Sequence, residues 1–122
     1  VDGLLTVVDR KKDMVITGGE NVSSLEVEAA VLEHPDVARV AVVGVADPTW
    51  GENVCAVVVP RSGSTIDVAD LVAHVRSRLA GFKVPRHVVI MDELPVNASG
   101  KVMKAELRAR LAQEPDLIGE RL

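Results

Sequence analysis

The chain has 122 residues, of which 14 are Lys or Arg and 18 are Asp or Glu, for a net charge of −4 and a pI near 5.3. That balance excludes a nucleic-acid binder, whose phosphate contacts need a basic face; the basic triplet from Arg10 to Lys12 is too short to be a tail. Apolar residues make up 48% of the chain, with one Phe, one Trp and no Tyr. Such a composition predicts one domain with an aliphatic core, suited to a sheet covered by helices.

The single cysteine, Cys55, excludes an internal disulfide and any multi-cysteine metal site. No apolar run has the length of a membrane span and no signal peptide is visible, so the expected compartment is cytoplasmic. The chain starts with Val1 and enters a β-prone run at once. That start suggests a piece of a longer protein, with an N-terminal domain expected before it.

In chain order, Leu4 to Val8 and Met14 to Thr17 are β-prone and flank the charged run Asp9 to Asp13. The pattern predicts a hairpin with a solvated turn that holds Lys12. Gly18 and Gly19 follow; they can take positive φ and leave bare backbone for another molecule to approach, or they can simply end a strand. Ser23 and Glu26 stand in the capping-box relation, which predicts a helix from Ser24 to His34, stopped by Pro35. Its expected inward stripe is Leu25, Ala29 and Leu32 with Val31 beside it, and Glu26, Glu28 and Glu33 are expected in water. Glu26 and Glu28 read better as first-turn charges complementing the helix dipole than as a catalytic carboxylate pair.

Val37 to Val45 reads as a central strand interrupted by Arg39 and Gly44, and Asp47 to Asn53 as a loop whose Trp50 is a packing anchor rather than a ligand stack. Val54 to Val59 is the next strand, with Cys55 as a buried hydrophobe rather than a nucleophile. Arg61 to Thr65 turns on Gly63. Asp67 caps a second helix with Val68, Leu71, Val72, Val75 and Leu79 inward and Gly81 as its stop. Phe82 to Arg86 connects to a strand from His87 to Met91. Lys104 to Ala112 is the last helix, with Leu107 and Leu111 inward, and Asp116 to Leu122 is expected to fray. His34, His74 and His87 have no metal partners at useful spacing, and no metal site is expected. The predicted fold class is α+β: a small mixed sheet of about three strands with helices packed on it, plus an N-terminal two-stranded hairpin.

Ser99-Gly100-Lys101 invites comparison with a phosphate-binding loop, but Pro95 and Val102 occupy positions where that motif needs Gly and Ser or Thr. Lys101 instead sits on a loop of small residues from which a long cationic side chain can extend into another surface.

Four blocks carry a wider resemblance: Gly18-Gly19-Glu20-Asn21 leading into the helix, Asp47-Pro48-Thr49-Trp50-Gly51-Glu52, Phe82-Lys83-Val84-Pro85, and Leu94 to Lys101. In this order and spacing the chain resembles the small C-terminal domain of AMP-forming acyl-CoA synthetases, in the acyl- and aryl-CoA ligase branch of the adenylate-forming enzymes. The resemblance implies residues 1–12 as hairpin strand and hinge, 13–112 as the mobile domain and 113–122 as a tail. It implies that Lys101 reaches the acyl carboxylate and the ATP α-phosphate during adenylation, and that Lys12 is the hinge about which the domain then turns. Gly18 to Val22 would form the face for thioester formation, with Gly19 beside the pantetheine tunnel, Asn21 near the adenylate and Gly18 and Glu20 among the cofactor-binding residues. Arg10 matches a position that contacts the adenylate ribose, and Arg76 lies in the region that meets coenzyme A phosphates.

ATP and coenzyme A are therefore the implied co-substrates of a fatty or similar hydrophobic acid. Mg2+ is expected with the ATP, bound outside this chain. The implied partner is a large N-terminal adenylation domain of the same protein. Two alternatives stand beside this reading: an acyl-AMP ligase that loads a carrier protein, and a stand-alone, non-catalytic interaction module.

Overall fold

The computed structural model describes residues 14–119 and 122. The strand expected at Leu4 to Val8 lies outside the described residues, as do Arg10 and Lys12. The chain is described from β1 (Met14–Thr17), which pairs antiparallel with β2 (Glu20–Ser23) through Gly18 and Gly19. Both glycines have positive φ, 57° and 82°, which is what a two-residue turn matched to the twist of its strands requires. The Gly pair takes the positive φ that the sequence allowed and reverses the chain, a turn not foreseen there, and Glu20 to Ser23 is a strand that the sequence does not signal. Four residues with a polar first half show no alternation to find.

Helix α1 (Ser24–Leu32) starts where the capping pattern places it, with Ser23 Oγ accepting the Glu26 N–H at 3.4 Å. Its buried residues are Ser24, Val27, Ala30 and Val31, while Leu25 and Leu32 are 55% and 46% exposed. The expected stripe is thus rotated. Apolar residues occur on every side of this helix, so periodicity alone does not fix its phase, and the compact valines went to the sheet. Glu28 is not in water either: its carboxylate meets Lys104 Nζ and the Val42 N–H, both at 2.8 Å.

Strands β3 (Val37–Asp47) and β4 (Gly51–Pro60) form a long antiparallel pair running from Val37 opposite Pro60 to Asp47 opposite Gly51. Strand β5 (His87–Ile90) lies parallel to β4, from Cys55 opposite His87 to Val58 opposite Ile90. Helix α2 (Val68–Arg76) and a 3-10 turn (Gly81–Lys83) make the crossover that a parallel pair demands. The β1–β2 hairpin joins the same sheet through Thr17 opposite Gly51. The α+β class holds, with five strands among the described residues in place of about three. The β1–β2 hairpin, which is not the one expected between Leu4 and Thr17, is part of the sheet, and the middle strand is β4 rather than β3. Arg39 is exposed, as an edge position allows. Gly44 leaves room for a neighbour: a Cβ there would lie 2.5 Å from the Glu52 carboxylate.

Because β4 is covered on both faces, its residues Val54 to Val58 are all buried. One core holds Val54, Ala56 and Val58 with Val27 and Val31 of α1 and Leu71 and Val75 of α2. The other holds Cys55 and Val57 with Val89, Leu94 and Leu107 and Leu111 of α3 (Lys104–Gln113). Asp67 caps α2 as expected, its Oδ1 accepting the Asp70 N–H at 3.1 Å, but the helix stops at Ser77, before Gly81. Pro115 opens a short helix, α4 (Pro115–Ile118), and Leu117 and Ile118 pack on the second core, so this stretch of the expected tail is structured.

His34 bridges α1 and α2. Its Nδ1 accepts the Asp36 N–H at 3.2 Å, which leaves the Nε2 proton for Asp70 Oδ2 at 2.8 Å. His74 Nε2–H donates to the Ala30 carbonyl at 2.9 Å from the other side. These two histidines are structural ties between helices.

Cys55 is fully buried, and desolvation pushes its thiol up to about 12. The folded protein is expected to resist thiol alkylation at pH 8, with labelling only after denaturant is added. The unfolded thiol begins to ionise near pH 9, below its folded value, so the stability held by the neutral thiol is present below pH 9 and is lost between pH 9 and 12. Prompt labelling of the native protein would contradict the burial.

Candidate functional site

Lys101 ends an exposed turn whose order comes from one side chain. Val96 and Val102 form an isolated antiparallel bridge, and between them the Asn97 N–H donates to the Lys101 carbonyl at 2.9 Å. Asn97 Oδ1 accepts from Ser99 N–H (3.0 Å), Ser99 Oγ (2.8 Å) and Lys101 N–H (3.0 Å). An Asn that binds its own backbone two and four residues on imposes a turn without help from the body of the fold. The roots of the turn are fixed: Leu94 is buried, and the Met103 N–H donates to the Pro95 carbonyl at 2.8 Å. Residues 96–101 are all exposed. Among the described residues the Lys101 ammonium meets no carboxylate. The outcome is a cation held out from the domain on a stiff stalk.

The second candidate element is the β1–β2 turn. The Gly18 N–H donates to the Trp50 carbonyl at 2.9 Å, and the Trp50 ring lies so close that a Cβ on Gly18 would be 2.9 Å from its Cε3. Trp50 is in turn set by Asp47, whose Oδ1 accepts the Thr49 and Trp50 N–H groups at 2.8 and 2.9 Å. Asp47 Oδ2 accepts from Asn53 Nδ2, which also meets His87 Nε2 at 3.1 Å in the buried interior. On the neighbouring strand the Ile16 N–H donates to Glu52 Oε1 at 2.9 Å. Trp50 therefore anchors the glycine turn as well as its own loop. Gly19 differs from Gly18: among the described residues nothing lies within 4 Å of where its Cβ would be. Gly18 is small because of what is packed on it, whereas Gly19 offers bare backbone to the outside. Glu20 and Asn21 follow on β2, both exposed.

Arg76 is exposed in the last turn of α2. Among the described residues no hydrogen bond or ion pair joins it, or Lys101, to the Gly18 to Asn21 turn. A groove of about 500 Å3 lies between the β3–β4 hairpin and the C-terminal helices, lined by Glu52, Arg108, Leu111 and Pro115 among others. None of the candidate residues lines it. They are displayed at the surface, on the Lys101 turn, on the β1–β2 hairpin and at the end of α2.

The AMP-binding enzyme C-terminal domain family matches residues 26–101. The chain belongs to that family. Its curated relatives include feruloyl-CoA synthase of an Amycolatopsis species, 53% identical over 109 residues that cover 89% of this chain and 22% of the relative. A medium/long-chain-fatty-acid CoA ligase of Mycobacterium tuberculosis is 47% identical over 116 residues, covering 89% of this chain and 20% of that protein. Among solved structures, apo MatB from Rhodopseudomonas palustris superposes with a TM-score of 0.81 at 44% identity, over 85% of this chain and 21% of that one. The chain thus spans about a fifth of the length of the relatives it matches. As a member of the family, it is a C-terminal domain whose fold recurs within much larger CoA ligases. No helix among the described residues is long and apolar enough to cross a membrane.

Three parts of the site were not read from the sequence. Asn97 has a local signal, an Asn two residues before Ser and three before Gly. The Trp50 to Gly18 contact and the Asn53–His87 contact that supports Asp47 join residues more than thirty positions apart, and only the fold brings them together.

Proposed function

We propose that this chain is the mobile C-terminal catalytic domain of an ATP-dependent, AMP-forming acyl-CoA ligase, in which it serves two successive steps by turning. The observation that carries the reading is the Lys101 ammonium, exposed and without a carboxylate among the described residues, on a turn ordered by Asn97. In the first step the acid carboxylate attacks the ATP α-phosphate, an encounter of two anions in which charge accumulates on phosphoryl oxygens. A cation delivered by domain closure stabilises that transition state more than the separated reactants. Pyrophosphate leaves and an acyl adenylate forms.

In the second step the coenzyme A thiol attacks the acyl carbonyl and AMP leaves. The Gly18 to Val22 segment replaces Lys101 at the same site, with the bare Gly19 backbone along the pantetheine chain and Glu20 and Asn21 toward the adenylate. Lys12, outside the described residues, is the hinge in this reading. A charged residue suits a hinge because it stays solvated in both backbone states. Arg10 would reach the ribose, and Arg76 a coenzyme A phosphate. The large adenylation domain, the acid pocket and the Mg2+ that accompanies ATP belong to other parts of the protein. The feruloyl-CoA synthase and the medium/long-chain-fatty-acid CoA ligase support a hydrophobic acid, aryl or fatty.

The test is acid-dependent exchange of pyrophosphate into ATP by the whole protein, with a hydroxycinnamate and a fatty acid offered separately. Coenzyme A and a phosphopantetheinylated carrier protein are then offered as acceptors. Exchange followed by thioester on coenzyme A is expected. Absence of exchange with every carboxylic acid tried would return the chain to the interaction-module reading, and thioester on the carrier alone would make it a loading enzyme.

A further inference from the structure

Helix α3 opens on a lysine, Lys104, with Met103 as an N-cap that makes no side-chain hydrogen bond. The first turn of a helix is unfavourable for a cation, because the helix dipole presents its positive end there. The position of Lys104 is explained by what its side chain holds. Nζ lies 2.8 Å from Glu28 Oε2 and 3.1 Å from Ser24 Oγ, and the same Glu28 oxygen accepts the Val42 N–H at 2.8 Å. The Lys104 and Glu28 side chains are only 18% and 15% exposed, and Ser24 is buried. Three elements, α1, β3 and α3, therefore meet at one enclosed ion pair.

Lys104 lies three residues after Lys101. The returning arm of the Lys101 turn runs through Val102, bridged to Val96, and Met103, bonded to Pro95, directly into this pair. The turn is ordered within itself by Asn97, so what aims it is how its two arms are fixed. Leu94 is buried on the outgoing side, and Lys104 does the equivalent work on the returning side. The anchor on α1 is only five residues beyond Ser23, where β2 ends.

We propose that Lys104 and Glu28 are positioning residues for adenylation: their ion pair sets where Lys101 stands relative to the rest of the domain. This inference rests on the reading of Lys101 given above. Transition-state stabilisation by a charge on a long stalk is sensitive to displacements of about 1 Å, so loosening the base should be felt at the tip.

The experiment uses the whole ligase with Lys104→Met, Lys104→Arg and Glu28→Gln, and Lys101→Ala as a control. Lys104→Met and Glu28→Gln are each expected to lower kcat for pyrophosphate exchange about 10- to 100-fold with KM for acid and ATP changed less than about threefold. Thioester formation from supplied acyl adenylate should stay within about threefold, and Lys104→Arg should recover most of the loss, since a guanidinium can still reach the carboxylate. Equal loss in both half-reactions, or unchanged exchange in both variants, overturns the positioning role. Should Lys104→Met fail to fold, Glu28→Gln, which keeps the side-chain shape and can still accept the Val42 N–H but removes the charge that holds Lys104, decides the question alone. If Lys101→Ala itself leaves exchange intact, the reading of Lys101 fails rather than the tether.

Discussion

Replacing Lys101 by Ala in the whole ligase is expected to lower acid-dependent exchange of pyrophosphate into ATP by a factor on the order of a hundred or more, the usual cost of removing one preorganised charge contact. Thioester formation from supplied acyl adenylate is expected to stay within a few-fold, because in the proposed cycle the Gly18 to Val22 segment, not Lys101, faces the reacting atoms at that step. The melting temperature should hardly move: the side chain is exposed and, among the described residues, it forms no ion pair whose loss would count. This combination separates a catalytic charge from a structural one. A substitution that depressed both half-reactions equally would mean that Lys101 is not specific to adenylation, and the division of labour between the two turns would be abandoned. Lys101→Arg tests the geometry. It keeps the charge but replaces a compact ammonium with a wide planar group, so partial activity is expected rather than rescue.

Local signals in the sequence carried further than long-range ones. The Ser23 and Asp67 caps, the positive-φ turn at Gly63, the His87 strand and the inward Leu107 and Leu111 are each written within a few residues, and the structure places them as the sequence predicts. The phase of α1 was not legible, since Leu25, Val27, Ala29, Ala30, Val31 and Leu32 leave no polar face to orient it. Strand order was also out of reach: Val37 to Val45 and Val54 to Val59 are equally apolar, and only the parallel partner β5 makes β4 the middle strand. Of the site, Lys101 and the glycine pair stood out through the four blocks that resemble the adenylate-forming ligases, since a lone loop lysine or a glycine pair is by itself usually a solvated charge or a strand exit. Their supports, Trp50 on Gly18 and Glu28 on Lys104, depend on tertiary packing that no spacing reveals. Glu28 in particular looked like an ordinary solvated charge near a helix start.

Gly18 and Gly19 are adjacent and both have positive φ, yet alanine should affect them differently. At either position the left-handed backbone costs a non-glycine residue about 1–2 kcal/mol. At Gly18 a Cβ also meets the Trp50 ring at 2.9 Å, so Gly18→Ala must push the indole aside and strain the hydrogen bond from the Gly18 N–H to the Trp50 carbonyl. The larger fall in melting temperature is expected there. Gly19→Ala has no neighbour within 4 Å to disturb among the described residues, so its loss of stability should be confined to the backbone term. If the Gly19 backbone lies along the pantetheine chain, the added methyl occupies space that the incoming thiol arm needs. A displacement of about 1 Å in a reacting group can cost on the order of a hundredfold. Gly19→Ala is therefore expected to slow thioester formation about 10- to 100-fold while pyrophosphate exchange stays within a few-fold, the mirror image of Lys101→Ala. The measurement is the pair of half-reaction rates in the whole ligase beside the melting curves of both glycine variants. A Gly19→Ala protein that makes thioester at the normal rate would show that the open space beside this residue is not where coenzyme A passes, and the thioester face would have to be sought elsewhere on the domain.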